Sequence, residues 1–485
     1  MSAGPGRCRT GIFLLLACVA PGFAAFASDS IQGETTTFRS PSGAVERCVR
    51  IARIPGGRYV DSDEAREAAL CGLDLHGADT ALCPKLFSTS PGTLVYDLRD
   101  GPYAGRAAAF ERERCGDSAP VKAGAPGPPA SFKTTMNARD TSGTFSISAL
   151  LYYHFARYLN SALHVPPAVY RSLDRAEFAG RVVARGEAAS AGRSALKLNH
   201  AGWQRLQAAM RDPSAYQPTD DLFTGDRNRV YGVLLHFDGK RYGPEMNGTR
   251  KSGWGDGQNR DFQETPAYRA LRIDRPLAEA VAEGITTAAR EPDLKEAMGP
   301  ALSEQQVVYW MQELTEITLL DFIFSQQDRV GNIDYTLWWH WVEDGEVRRV
   351  PAVSREPPSH IAGSSPRLLK RTELNDNDAG GRVEYANFAK RTGMLVGLRH
   401  YHADTYLRLQ RLARDFEAKG ELYAYARDAF GLDGRQLAQL VGNTVEAARI
   451  LRAGCEAGEL RFDLDADAFF RDGATRAEPV ACDAG

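Results

Sequence analysis

Three charged residues, taken in chain order, match what phosphoryl transfer asks of a protein. That reaction needs a cation to hold nucleotide phosphates and a carboxylate to orient or deprotonate the attacking hydroxyl. It also needs a second carboxylate to hold a divalent metal against the phosphates. Lys133 stands alone in the short strand-like stretch Ser131 to Met136 (SFKTTM), after a glycine-bearing turn. Asp328 follows the end of a long apolar helical pattern, which would fix its loop. Asp376 lies in the run Asn375-Asp376-Asn377-Asp378, again after a strand-like segment. Asn332, four residues beyond Asp328, adds a neutral oxygen ligand of the kind hard Mg²⁺ or Mn²⁺ takes. Gly101 and Gly105, in the turn Arg99 to Arg106 (RDGPYAGR), are the glycines expected beside the nucleotide. Taken singly each feature is ordinary. A strand lysine is usually solvated, Asp-Arg after a helix is commonly a cap, and an Asn/Asp cluster is often a turn. Their order and spacing make the case.

The elements that must position these residues follow from periodicity. Thr93 to Leu98 (TLVYDL) reads as a strand, Ala107 to Glu113 as the strand returning from the glycine turn, and Ser131 to Met136 as a third. Val121 to Ala130 (VKAGAPGPPA) is a Gly/Pro-rich loop, and residues 28–90 are polar, cysteine-bearing and irregular. Ile147 to Leu163 carries apolar residues at spacings of three and four and is stopped by Pro166 and Pro167. Val230 to Phe237 is a strand, with Asp238-Gly239 as a hairpin turn into Lys240-Arg241-Tyr242. Ser303 to Phe324 is a long helix, and Tyr335 to Val342 pairs with Val347 to Val350 around Asp344-Gly345. From about Asn387 the chain is largely helical. This is an α+β pattern with a small β-rich lobe and a larger helical lobe.

Composition bounds the answer. The 485 residues carry a net charge of −3, with 43% hydrophobic and 25% charged residues. That excludes wholesale disorder and disfavours a strongly basic nucleic-acid binder. Past the N-terminus no apolar run reaches the roughly 18 residues a membrane span requires. The first residues read as an address: Arg7 and Arg9 precede the apolar stretch Ile12 to Ala20, and Ala25-Phe26-Ala27 forms a cleavage site before Ser28. A lipoprotein site with Cys18 acylated is the rival export reading. Of the eight cysteines, cleavage after Ala27 removes Cys8 and Cys18, leaving Cys48, Cys71, Cys83, Cys115, Cys455 and Cys482. An even set in an exported chain points to disulfides. Six cysteines allow 15 pairings, and pairing within the four early and the two late ones is the simplest. The periplasm, a secretory lumen and the extracellular space all stay open.

Five stretches together resemble the secretory-pathway kinases, the family of the Golgi casein kinase, the glycosaminoglycan xylosylkinase and four-jointed. They are SFKTTM (131–136), HVPPAVYR (164–171), LDFIFSQQDRVGN (320–332), Asp376-Asn377, and TYLRLQRL (405–412). The resemblance spans about residues 90–420. It implies an atypical two-lobed protein-kinase-like fold that moves the ATP γ-phosphate to a secreted protein or a glycan with Mn²⁺ or Mg²⁺. In it Lys133 would hold the phosphates, Asp328 would be the base and Asp376 would bind metal. The division expected is a signal peptide over 1–27 and a cysteine-bearing segment over 28–90. A small lobe over 91–225, a large lobe over 226–455 and a tail over 456–485 complete it.

Two departures stand against this. The family's helix carries a glutamate that pairs with the lysine, yet Phe145 to Leu159 contains no acid. Glu111, Glu113 or Asp140 are the candidate substitutes; with none of them in place the chain would be a pseudokinase acting as a scaffold or allosteric regulator. The tandem cysteines that precede the family's TYLRLQ-like helix are replaced here by VGLRHYH. Other signals weigh less. His154 reads as a packed histidine, and His400 and His402 fall on different helix faces. No GxSxG or HExxH occurs.

Overall fold

The computed structural model describes residue 1 and residues 30–116, 124–127, 129–139, 141–300 and 302–483. The expected signal, Cys8, Cys18 and Asp140 lie outside the described residues. A seven-stranded antiparallel sheet runs in the order β1-β2-β6-β7-β5-β4-β3. Its strands are β1 (Gly33–Arg39), β2 (Val45–Ile51), β3 (Thr80–Pro84), β4 (Thr93–Asp97), β5 (Ala130–Thr134), β6 (Ala168–Asp174) and β7 (Arg229–His236). A second sheet holds β8 (Lys240–Arg241), β9 (Asp334–Glu343), β10 (Glu346–Pro351) and β11 (Arg367–Glu373), ordered β10-β9-β11 with β8 on β9. Helices dominate the rest, so the α+β architecture is a sheet lobe joined to a helical lobe.

Several local expectations give way. Residues 28–90 are not irregular: they supply β1, β2, β3 and the helix Asp61–Cys71. The large sheet therefore gathers strands from both sides of residue 91 and takes in β7 beyond residue 225. The expected strand at Ala107 to Glu113 is a helix, Ala107–Arg114. Its three alanines and alternating Glu and Arg are good helix formers, and Ala107, Phe110 and Glu111 face inward at helical spacing. Lys240-Arg241 does not return against β7. It pairs with Tyr335 and Asp334 of β9, because Gly239, at φ 107°, turns the chain out of the first sheet.

Three elements hold the cleft. β5 lies between β4 and β7, with Lys133 opposite Val233. The helix Ser148–Tyr158 is buried on every side beneath the sheet, so its all-round apolar character is that of a core element. The helix Glu304–Phe324 is buried nearly end to end. The Ser303 side chain caps its start by accepting from the Gln306 N–H. Ser325, at φ 54°, closes it in the left-handed region, where Asn443 Nδ2 donates to the Ile323 carbonyl and to Ser325 Oγ. That end leads directly into the Asp328 loop.

Three disulfides staple the chain: Cys48–Cys71, Cys83–Cys115 and Cys455–Cys482. The pairing stays within the early and late groups of cysteines. The last one ties the segment after residue 455 onto the helical lobe, where the helix Ala466–Asp472 packs against Glu304–Phe324. No helix among the described residues is long and apolar enough to cross a membrane.

Candidate active site

Lys133, Asp328, Asn332 and Asp376 line one cavity of about 380 Å³ between the lobes. Lys133 Nζ donates to Asp376 Oδ1 at 3.1 Å, to Asp378 Oδ1 at 3.2 Å and to the Asn375 carbonyl at 3.2 Å. Burial disfavours the Lys133 charge, but Asp378 and Asp376 outweigh it, so its pKa is raised and the ammonium is kept. The helix Ser148–Tyr158 supplies no acid, and neither described substitute reaches the lysine. Glu111 is held by Arg181 and Arg185, and Glu113 accepts from the Tyr103 hydroxyl. Asp376 and Asp378 share the pairing.

Gly101 and Gly105 do not line the cavity. Gly101 is pressed against the Gly124 carbonyl, where a Cβ would lie 2.6 Å away, and the Gly105 N–H donates to Asp79 Oδ1. The loop that covers Lys133 is instead 85–92 (KLFSTSPG), which joins β3 to β4. It is clamped rather than slack. Asn199 Nδ2 donates to the carbonyls of Lys85 and Ser90 at 3.2 Å each, and Trp203 Nε1 fixes the Asn199 oxygen at 2.8 Å. Gly202 is required for this contact, since a Cβ there would lie 2.4 Å from Pro91 Cγ. A Ser-Thr-Ser-Pro-Gly stretch between two strand-like runs is the sequence signal that marks such a loop.

The acidic residues differ in state. Burial raises the Asp328 pKa to about 6, and the charges of Asp376 and Asp378 push it the same way. For Asp376 burial also favours the proton, but Lys133, Lys85 and Arg241 prevail and hold its carboxyl well below the usual range. One carboxyl is thus poised to exchange a proton near neutrality while its neighbour stays ionised.

Arg241 is the residue that sequence spacing hid. Its guanidinium donates to the Gly331 carbonyl and to Asn332 Oδ1, both at 2.6 Å, and to Asp376 Oδ2 at 3.1 Å. It also pairs with Asp334 Oδ1 at 2.8 Å. The Asn332 amide nitrogen meanwhile donates to the Asp328 carbonyl, so both ends of this expected metal ligand are engaged within the protein. Among the described residues no three ligand-type side chains cluster as a protein-only metal site. Two neighbouring carboxylates, Asp376 and Asp378, nevertheless suit Mg²⁺ or Mn²⁺, which is commonly held by one or two carboxylates together with substrate phosphates.

A buried network sets the loops. Arg329 pairs with Asp321 at 3.0 Å and donates to the Asp376 carbonyl and to Asn377 Oδ1. Asp321 also accepts from the Tyr152 hydroxyl at 2.7 Å, on the helix beneath the sheet. One ion pair therefore joins that helix, the long helix and both acidic loops.

Beside this polar cavity lies a second of about 600 Å³, lined by Leu94, Tyr96, Pro126, Phe237, Asp238 and Gly239, with Lys85, Phe87, Ser131, Lys133, Arg241 and Asp376 shared between the two. It is the more apolar compartment and suits a flat heterocycle.

No protein-family model matches this chain, and no curated protein does. Solved structures similar at a distance include two of one kinase. A crystal structure of the Golgi casein kinase with Mn/ADP bound shares 11% identity over 81% of this chain and 76% of that one, with a TM-score of 0.40. A second Golgi casein kinase structure shares 10% over 90% and 88%, with a TM-score of 0.39. Likeness at that level carries no weight for function.

Proposed function

We propose that this chain is an exported, metal-dependent kinase. In this reading it moves the γ-phosphoryl group of ATP to a hydroxyl of a secreted protein or a glycan. The observation that carries the reading is the meeting of Lys133, Asp328, Asp376 and Asp378 around one cavity that opens beside an apolar slot. The slot takes the base, and Lys133 with Lys85 faces the phosphates. Bound to Asp376 and Asp378, Mg²⁺ or Mn²⁺ would supply positive charge against the phosphate oxygens. Asp328 accepts the proton of the attacking hydroxyl as the new phosphate ester forms. The three disulfides fit an oxidising compartment.

A second reading is a nucleotide-binding pseudokinase. Arg241 favours it, because it occupies oxygens of both Asp376 and Asn332. The first test is the melting temperature of the chain with ATP and Mn²⁺, beside Asp376→Ala. A ligand at 100 times its dissociation constant adds roughly 2.7 kcal/mol. A metal-dependent rise lost in the variant supports either kinase-like reading, and no rise sinks both. Transfer to an acceptor that disappears in Asp328→Asn then separates the enzyme from the scaffold.

A further inference from the structure

We propose that the hydroxyl acceptor is a carbohydrate, stacked on Trp254 at the mouth of the cleft. The inference rests on the phosphotransferase reading above and names its substrate class. Among the described residues the exposed Phe and Trp side chains are Phe87, at 43%, and Trp254, at 68%. Both line the cavity that contains Asp328, Phe87 from the sheet lobe and Trp254 from the helical lobe. An indole left in water forgoes the burial that would otherwise stabilise the fold. Such a ring at the rim of a polar cleft is a platform.

Trp254 is held in place. Phe388 meets it edge to face at 5.4 Å and 88°. Gly253 and Gly255 flank it at φ 78° and 88°, backbone that sets the ring out from its loop. Trp254 and Asp328 line the same cavity, and the indole is close enough to offset part of the rise in the Asp328 pKa. A flat apolar surface is thus fixed next to the group that receives the acceptor's proton.

A second observation is independent of the ring. Gln258 is 5% exposed, and its amide nitrogen has no hydrogen-bond partner among the described residues. Ser142 Oγ is buried in the same condition, and both side chains line this cavity. Buried donors without acceptors are expensive and rare, so these mark where ligand oxygen belongs. Neither Trp254 nor Gln258 lines the apolar slot, which leaves them to the acceptor rather than the nucleotide base. A pyranose meets both demands: its C–H face lies flat on an aromatic ring while its hydroxyls donate and accept around the rim.

The test uses the full chain, Mn²⁺ and radiolabelled ATP on two arrays, one of immobilised neutral oligosaccharides and one of serine-containing peptides. Wild type, Trp254→Ala, Trp254→Phe and Gln258→Leu are compared, with the ATP–Mn²⁺ melting shift measured in parallel. Expected is labelling of glycans that falls roughly tenfold in Trp254→Ala and Gln258→Leu through a raised acceptor KM, and is largely kept in Trp254→Phe. Labelling confined to peptides, or glycan labelling indifferent to Trp254→Ala, overturns the inference and leaves the kinase reading standing. A melting shift with no glycan labelled overturns it too, leaving a nucleotide-binding protein. Absence of any shift removes the parent reading and this one together.

Discussion

Lys133 Nζ stands 3.2 Å from Asp378 Oδ1, so the lysine on β5 draws its partner from the acidic loop after β11 rather than from the helix Ser148–Tyr158. The lysine and the loop that would hold metal are thereby one electrostatic unit. Asp378→Asn should weaken ATP–Mn²⁺ binding about tenfold, because it loosens Lys133 as well as removing a ligand. Isothermal titration checks this. Glu111→Gln, by contrast, should leave nucleotide affinity unchanged while lowering stability, since Glu111 bonds Arg181, Arg185 and the Leu82 N–H.

Asp328 gives a pH signature. Its pKa is raised to about 6, first by burial and then by the charges of Asp376 and Asp378. A base must be ionised, so kcat/KM should fall as pH drops below about 6 in a buffer series at saturating metal. Stability has the opposite sign. A carboxyl whose pKa is raised by folding costs nothing below its unfolded value. Its cost grows as pH climbs through about 6, reaching up to about 3 kcal/mol. Asp328→Asn should therefore abolish transfer yet raise the melting temperature at pH 7.5, and a fall there would contradict the repulsion described.

The Asp321–Arg329 pair is buried and shared by four elements. Asp321→Asn should cost about 3–5 kcal/mol in chemical denaturation, as removal of one partner from a buried pair does. Arg329→Lys should recover little of the effect of Arg329→Ala. A lysine cannot reach Asp321, the Asp376 carbonyl and Asn377 at once with a planar fork.

Gly202 governs the loop 85–92. A methyl there meets Pro91 at 2.4 Å, so Gly202→Ala should displace residues 85–92 and raise the KM for ATP severalfold with kcat less affected. Steady-state kinetics on that variant and on Asn199→Ala would show the same split, and an unchanged KM in both would refute the clamp.

Reducing the disulfides gives a simpler check. Each closes a loop of 23 to 32 residues, and such closures contribute about 3 kcal/mol apiece in the chain-entropy model. A reductant should lower the melting temperature by about ten degrees in differential scanning, with loss of Cys83–Cys115 weakening the β3–β4 edge.

What the residues disclosed in advance was the local part. Lys133, Asp328 and Asp376 were legible because each follows a strong periodic element, and β5, β9, β10 and the long helix appear at nearly the expected bounds. The same reasoning did not find the loop beside Lys133. Glycine content pointed to Arg99–Arg106, whereas the loop that lines the cavity, 85–92, owes its shape to Pro91 and to Asn199, more than a hundred residues away. Arg241 and Asp378 were invisible for the same reason. Their meaning is a set of contacts across 90 to 245 residues of chain, and spacing along a sequence does not encode distance across a cleft. The helix Ala107–Arg114 was missed for another cause: expecting a strand to return from a turn outweighed the helix propensity of its alanines.

The short passage from β7 to β8 carries the chain from one sheet to the other. Phe237, Asp238 and Gly239 leave one sheet and enter the other, and Asn375 Nδ2 grips the Asp238 carbonyl at 2.6 Å. Two residues on, Arg241 reaches Asp334 and Asp376. The crossing between the sheets is thus anchored at both ends on the acidic loop after β11, so the link that joins the halves of the molecule also carries a counter-charge to the cleft.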